Sequence, residues 1–483
     1  MSPGSAKKKS ARSKKESTQP GINFRAPLLS VEQLHAQGKA MRDVVPREVH
    51  GQWSPAKGRE DILSILKKGN IGRQQDLVPL RMGRMAASPF AFLRGAAAVM
   101  AHDLAKTPSM GFNVILDGDA HINNFGIYGT AQRDLVFDLN DFDEAVIGPW
   151  EWDLKRLTAS VNVAGRENGL NAKERDIAVM QAVAGYQQKV AQLEKMGTLD
   201  IWYLHSYPGQ ENILRKVPAK AQAVIEKVVR KALRSDNRSL LMKMAEKNTE
   251  GKWQFREDPP ILTRVNSALR NKIISALDQY SQTLSRERRY MLSAYRVADV
   301  AHRVVGVGSV GTRVYLALLI GKGDNDPLFL QVKEATDSAY APYVTSWTPE
   351  YQHAGQRVVI GQRAIQASTD VMLGWTDMDG RPYYVRQMKN LKASMPLEWL
   401  TGDSFNFYSW ACGTLLARAH ARTCDASMIA GYCGTSNVLK NSLADWAEAY
   451  GDQTEIDHAR LVDAIKRGKI AAHIEGNRSD VQR

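Results

Sequence analysis

The reading of this chain turns on Gly118-Asp119-Ala120-His121-Ile122-Asn123-Asn124-Phe125-Gly126, followed by Asn140-Asp141-Phe142-Asp143-Glu144. The first run is too polar and too glycine-bounded to be a core element. Strand-sized apolar segments flank it, residues 112–116 (FNVIL) before and residues 134–139 (DLVFDL) after. Asp119 and Asn124 therefore share a loop, and Asp141 stands just past a strand. Phosphoryl transfer needs one carboxylate near the acceptor hydroxyl and hard oxygen ligands for Mg²⁺. A loop Asp, a nearby Asn and a post-strand Asp supply that set. A second chemistry fits part of the same run. Asp117, Asp119 and His121 alternate, so on an extended strand they would share one face, as a metal-dependent hydrolase site requires.

Toward the C-terminus, from about residue 300, strand signals dominate. Residues 303–307, 312–320 and 328–333 are separated by GSVG and GKGDNDP, which predicts a three-stranded antiparallel meander. The first connection reads Gly306-Val307-Gly308-Ser309-Val310-Gly311. A dinucleotide fold would start a helix there. Residues 312–320 are instead β-branched and aromatic, so the glycines sit at a hairpin tip, where backbone N–H groups approach phosphate oxygens without Cβ obstruction. Lys333 closes the third strand. A helix is expected over 351–367, then two strands, 371–377 and 383–388, around an Asp379-Gly380 turn. The chain is helical again from about 403, with 410–420 (WACGTLLARAH) clearly amphipathic.

Toward the N-terminus, residues 30–110 read as helices broken at Pro46, Pro55, Pro79 and Pro89, with 94–103 a buried helix. Residues 151–300 also read as helical. Residues 171–196 are bounded by Asn171 as N-cap and Gly197 as C-cap, and Val224, Ile225, Val228, Val229 and Leu233 make one apolar stripe.

The net charge of +14 on 483 residues suggests a nucleic-acid binder until it is located. Residues 1–20 carry +5 and residues 215–247 carry +7, leaving +2 for the remaining 430. The tail composition (Ser, Lys, Pro, Gly) predicts disorder and a solubilising role, with nucleic-acid contact confined to that arm. No apolar run approaches the ~18–20 residues a membrane helix needs, and no signal-peptide core follows the tail. Three cysteines without a CxxC pair point to a reducing cytoplasm.

GDAHINNFG, NDFDE and GPWEWDLKRL (residues 148–157) resemble the aminoglycoside and choline kinase branch of the protein-kinase-like superfamily. That branch carries His-Gly-Asp-Leu-His-x-x-Asn, then Ile-Asp-Phe/Trp-Glu-x-Ala, then a Tyr-Asp-Leu-Ala helix. From about residue 70 onward the chain more closely resembles the bacterial family of unknown function DUF2252, through SPFAFLRGAA, GDAHINNFG, NDFDE, WDLKRL, VGVGSVGTR, LQVKEA and GQRVVIGQR. The resemblance implies an α+β, two-lobed protein-kinase-like fold. It implies a tail over 1–22, a helical large lobe over 23–300, a small antiparallel-sheet lobe over 301–392, and C-terminal helices over 393–483 that complete the large lobe. The motif order is circularly permuted, because the catalytic loop precedes the glycine loop. By position, Asp119 matches the catalytic Asp, and Asn124 and Asp141 match the Mg²⁺ ligands. Asp153 matches the helix Asp that braces the catalytic loop. Lys333 matches the phosphate-binding lysine, and Gly306, Gly308, Ser309 and Gly311 match the glycine-rich loop. The implied ligands are ATP, Mg²⁺ and a small-molecule hydroxyl acceptor. Two features depart from the pattern. Asp117 stands where that branch has His, and the expected helix offers no acid to pair with Lys333; Glu350 and Gln362 are the nearest candidates. An unpaired lysine would fit a nucleotide-binding regulatory protein without turnover.

Overall fold

The computed structural model describes residues 24–206, 217–344, 353–388 and 391–475. The basic tail and Glu350 lie outside the described residues. The fold is α+β with several antiparallel sheets.

Helices α1 (Val31–Val44), α2 (Ile62–Gly69), α3 (Val78–Met85), α4 (Pro89–Gly95) and α5 (Ala97–Leu104) open the described chain. Pro79 and Pro89 start helices instead of breaking them. Each sits in the first turn, where its missing N–H costs nothing. The buried helix expected over 94–103 is split at Ala96, which separates α4 from α5.

Two small sheets follow. Strands β1 (Asn113–Leu116) and β4 (Val146–Pro149) pair with each other, while β2 (Phe125–Gly129) pairs with β3 (Leu135–Leu139). Both flanking strands predicted from the sequence are therefore present. Helices α6 (Trp150–Glu167) and α7 (Ala172–Leu193) come next, then α8 (Thr198–Tyr203). Asn171 caps α7 in a reciprocal box with Glu174, as its position predicted. Gly197 is not the C-cap of α7. The helix ends at Leu193, and Gly197 is the N-cap of α8.

The stretch expected to be helical up to residue 300 is interrupted by strands. Helices α9 (Ala219–Leu233) and α10 (Asn237–Met244) lead into the hairpin of β5 (Ala245–Lys247) and β6 (Trp253–Phe255). Then come β7 (Leu262–Arg264), α11 (Ser267–Ser281), α12 (Arg286–Leu292) and β8 (Arg296–Arg303). In β8 charged residues interleave with Val297, Val300 and Ala301, and a register shift between Val297 and Asp299 hides the alternation. The apolar stripe of α9 buries Val228, but Leu233 at its end is 54% exposed.

The meander is present with its first strand displaced toward the N-terminus. Strands β8, β9 (Val314–Ile320) and β10 (Pro327–Glu334) pair antiparallel, and residues 304–307 belong to the glycine connection. After α13 (Ala354–Ile365), strands β11 (Gly374–Met378) and β12 (Arg381–Gln387) complete a six-stranded sheet in the order β11-β12-β10-β9-β8-β7. Asp379 and Gly380 both have positive φ, the requirement of a two-residue hairpin turn. One face packs Leu330, Val332 and Val385 against Ile273, Ala276 and Tyr280 of α11. On the other, Leu316, Leu318 and Phe329 lie under Leu240, Leu241 and Phe255.

Strand β13 (Ala393–Ser394) joins β2, and helices α14 (Asp403–Ala421), α15 (Ala426–Cys433) and α16 (Val438–Lys466) end the described fold. These C-terminal helices share one core with β1–β4, α6 and α7. Helix α14 lies close against α7 because a Cβ at Gly413 would meet the Ala182 carbonyl. Among the described residues, no helix is long and apolar enough to cross a membrane. All three cysteines are free.

Candidate active site

The polar loop after β1 hangs from α6. The Asp153 carboxylate accepts the backbone N–H groups of Asp117 at 2.7 Å and Gly118 at 2.9 Å. It lies 3.2 Å from His420 Nε2, and His420 Nδ1 lies 2.8 Å from the Tyr186 hydroxyl. Asp153 is thus the loop brace its sequence position implied, and His420 supports it. Trp150 and Trp152, on either side of it in the chain, are buried. Gly118 has φ +78°, and a Cβ there would run into the Glu144 carbonyl. The stretch 117–121 is therefore a tight loop, not the extended strand on which Asp117, Asp119 and His121 would share a face. Asp117 is buried, and burial together with the Asp153, Asp119 and Asp141 charges raises its pKa well above the usual carboxylate range. Among the described residues, no group of three or more His, Cys, Asp or Glu side chains is arranged to hold a metal.

Asn124 joins the two polar runs. Its Nδ2 donates to Asp117 Oδ2 at 3.2 Å, to the Asp119 carbonyl at 3.2 Å and to the Asp141 carbonyl at 3.0 Å. Asn140 N–H donates to the Asn124 carbonyl at 3.0 Å. All three amide contacts come from the nitrogen, so the side-chain oxygen is the lone-pair donor left to a cation.

Asp119 is engaged by Arg156, whose Nε and Nη2 both reach Oδ1, at 3.0 and 2.6 Å. Burial pushes the Asp119 carboxyl up to about 7, and the Arg156 charge holds it from rising further. Arg156 stands one turn beyond Asp153 on α6, so one helix both braces the loop and pairs its acid.

Lys333, on β10, reaches across to the second run. Its Nζ forms an ion pair with Asp143 and lies 3.7 Å from Asp141 Oδ1. Burial alone would lower the lysine pKa; the Asp141 and Asp143 charges outweigh it and raise it. Asp141 Oδ1 is shielded from solvent without a hydrogen-bond partner among the described residues. Burial opposes ionisation of Asp141, yet Lys333, Arg386 and Lys392 hold its pKa down at about 2. An ionised carboxylate with an unsatisfied oxygen beside the Asn124 amide is a hard-oxygen donor set that fits Mg²⁺.

The lysine's partner does not come from the helix. Gln362 Nε2 donates to Gln366 Oε1 at 2.9 Å and is not the partner. Asp143 takes that place, in the NDFDE run itself. Helix α13 supplies Arg357 instead, which donates to the carbonyls of Asp143 and Ala145, both at 2.6 Å. A cation holding the loop backbone replaces the acid expected to hold the lysine.

The glycine connection ends beside Lys333, because Val314 pairs directly with it. Gly306 and Gly311 take φ of +77° and +87°. N-terminal residues hold the connection. Arg84 donates to the Gly306 carbonyl at 2.8 Å, Arg73 to the Val310 carbonyl at 2.8 Å, and Gln74 N–H to the Gly311 carbonyl at 2.7 Å. Ser309 Oγ is turned inward, donating to the Val305 carbonyl at 2.7 Å. A Cβ at Gly308 would stand 3.5 Å from the Arg94 carbonyl.

Asp119, Asn124, Asp141 and Lys333 are therefore gathered at one place, with the glycine connection at its edge. Arg156, Asp143, Arg357 and Arg386 were not singled out from the sequence. Asp143 lay inside the motif, and the i, i+3 spacing of Asp153 and Arg156 was a usable signal.

The class defined by this fold and site is an α+β protein in which a lysine on an antiparallel sheet faces a loop-borne Asp/Asn/Asp set. A family model described as "Uncharacterized protein conserved in bacteria (DUF2252)" matches residues 73–464, and the chain belongs to that family. Neither the curated proteins nor the solved structures yield a match.

Proposed function

We propose that the chain is an ATP- and Mg²⁺-dependent phosphotransferase with a circularly permuted, two-lobed kinase-like fold, acting on a hydroxyl of a small molecule. The observation that carries this reading is the approach of Lys333 Nζ to Asp141 Oδ1 at 3.7 Å. Two constellations far apart in sequence meet, and together they make up one phosphoryl-transfer set. Lys333 would neutralise phosphate oxygens, and Asn124 and Asp141 would hold Mg²⁺. Asp119 would accept the hydroxyl proton, for which a carboxyl near 7 suits neutral pH. Loss of ATP turnover is expected in both Asp119→Asn and Asp141→Asn; wild-type turnover in both variants would sink the assignment.

A second reading, a nucleotide-binding regulatory protein without turnover, is favoured by the engagement of Asp119 by Arg156 and of Lys333 by Asp143. ATP·Mg²⁺ would then raise the melting temperature while no γ-phosphate left with any acceptor.

A further inference from the structure

The sheet face that carries Lys333 carries two more cations. Val314 pairs with Lys333, and Lys333 with Tyr384; one pleat along, Gln331 pairs with Arg386. Across β8, His302 pairs with Tyr315, so the next residue, Arg303, falls at the level of Val314 and Lys333. Directly paired residues share a face, so Lys333, Arg303 and Arg386 point the same way.

The two arginines differ in their company. Arg386 donates to Gln331 Oε1 at 3.1 Å and to the Asn140 carbonyl at 3.2 Å, and it faces the charges of Asp141, Asp143 and Asp370. It also lines a cavity beside Asp141, together with Asn140, Lys392 and Asp370. Arg303 Nε is shielded from solvent and has no hydrogen-bond partner among the described residues. The charge acting on it is that of Arg386, a like charge. A half-buried guanidinium with its Nε shielded and unpartnered, and with the like charge of Arg386 acting on it, is a place where an anion would be stabilised. The same face offers little to a base, since Ala301, Leu316, Leu318 and Phe329 already lie under Leu240, Leu241 and Phe255.

We infer that Arg303 and Arg386 form an anion subsite adjoining Lys333 that takes a further phosphoryl group of a polyphosphate chain, so that the ligand is recognised through its phosphates and not its base. The inference rests on the phosphotransferase reading for the place of the first phosphate. On the sheet Arg386 stands one strand (about 4.8 Å) and one pleat repeat (about 6.8 Å) from Lys333, and Arg303 two strands (about 9.6 Å) away on the other side, a span that a triphosphate covers together with the long arginine side chains.

The test is calorimetric and thermal titration of the full chain with Mg²⁺ and one of three probes: inorganic tripolyphosphate, ATP or adenosine. Tripolyphosphate is expected to stabilise the protein and displace ATP, and adenosine to do neither. Arg303→Gln should weaken tripolyphosphate at least tenfold, with a ligand-free melting temperature no lower than wild type, since it removes a half-buried cation on which only the like charge of Arg386 acts. Tripolyphosphate affinity within twofold of wild type in Arg303→Gln would overturn the subsite. So would stabilisation by adenosine but not by tripolyphosphate. Arginine-dependent tripolyphosphate binding without phosphoryl transfer leaves the subsite standing and removes the catalytic reading. Transfer that is indifferent to Arg303 does the reverse.

Discussion

Lys333 Nζ stands between two carboxylates of one loop, in an ion pair with Asp143 and 3.7 Å from Asp141. This cation, together with Arg386, ties the six-stranded sheet to the polar loop after β3. Lys333→Met would leave the partly exposed Asp141 and Asp143 carboxylates with Arg386 and Lys392 as the remaining cations beside them. Stability is expected to fall by about 1–2 kcal/mol, less than the loss from a fully buried pair because water screens the carboxylates. The urea unfolding midpoint measures it, and an unchanged midpoint would show the pair to be solvated.

Asp153 accepts two backbone N–H groups of the loop and meets His420. Asp153→Ala leaves those donors buried and unpaired, which should cost about 3 kcal/mol or more, at roughly 1.5–3 kcal/mol for each charge-assisted bond. Because Asp117 and Gly118 lead into Asp119, ATP turnover should fall even where the variant is folded. Thermal unfolding and turnover measured on the same sample separate the two effects.

The Asp119 carboxyl titrates near 7 because burial raises it. If it is the general base, turnover should rise about tenfold per pH unit below 7 and level off above it. The Arg156 charge favours the ionised form, so Arg156→Gln should move that break to higher pH. A break that stays in place would separate Asp119 from the pH profile.

On the far side of α6, Lys155 is fully buried, its Nζ 4.4 Å from the centre of the Trp446 ring and without a hydrogen-bond partner among the described residues. Burial pulls its amine down to about 7, with the Glu151 charge opposing. A depressed lysine is bound to its proton more tightly when unfolded. Its folded-state penalty therefore grows as pH falls from about 10.5 toward 7. Lys155→Met should raise the melting temperature at pH 7, by an amount that shrinks as pH rises. A uniform loss of stability across pH would contradict this.

The local chemistry was legible because it is written in short windows. The strands around residues 112–139, the loop between them, the hairpin glycines, the Asp379-Gly380 turn and the N-cap at Asn171 each follow from a few neighbouring residues. Asp153 as a brace was legible through resemblance, and its two accepted N–H groups give the physical reason. What failed also has local causes. Pro79 and Pro89 were read as breaks although a first-turn proline starts a helix. The alternation in β8 is hidden by interleaved charge and a register shift, so the first meander strand was expected too late in the chain, and strands β5 to β7 went unseen in a stretch read as helical.

The sequence by itself determined which residue types were available for phosphate and metal chemistry, and that the +14 charge sits mostly in two segments away from them. Only the tertiary structure decided who meets whom. Strand pairing, which depends on long-range register, put Lys333 level with Val314 and Arg303. Packing of α6 and α13 against the polar loops then chose Arg156 for Asp119 and Asp143 for Lys333. Ion pairs between distant segments are fixed by which desolvated charges the fold brings together, and no local pattern of residues carries that information.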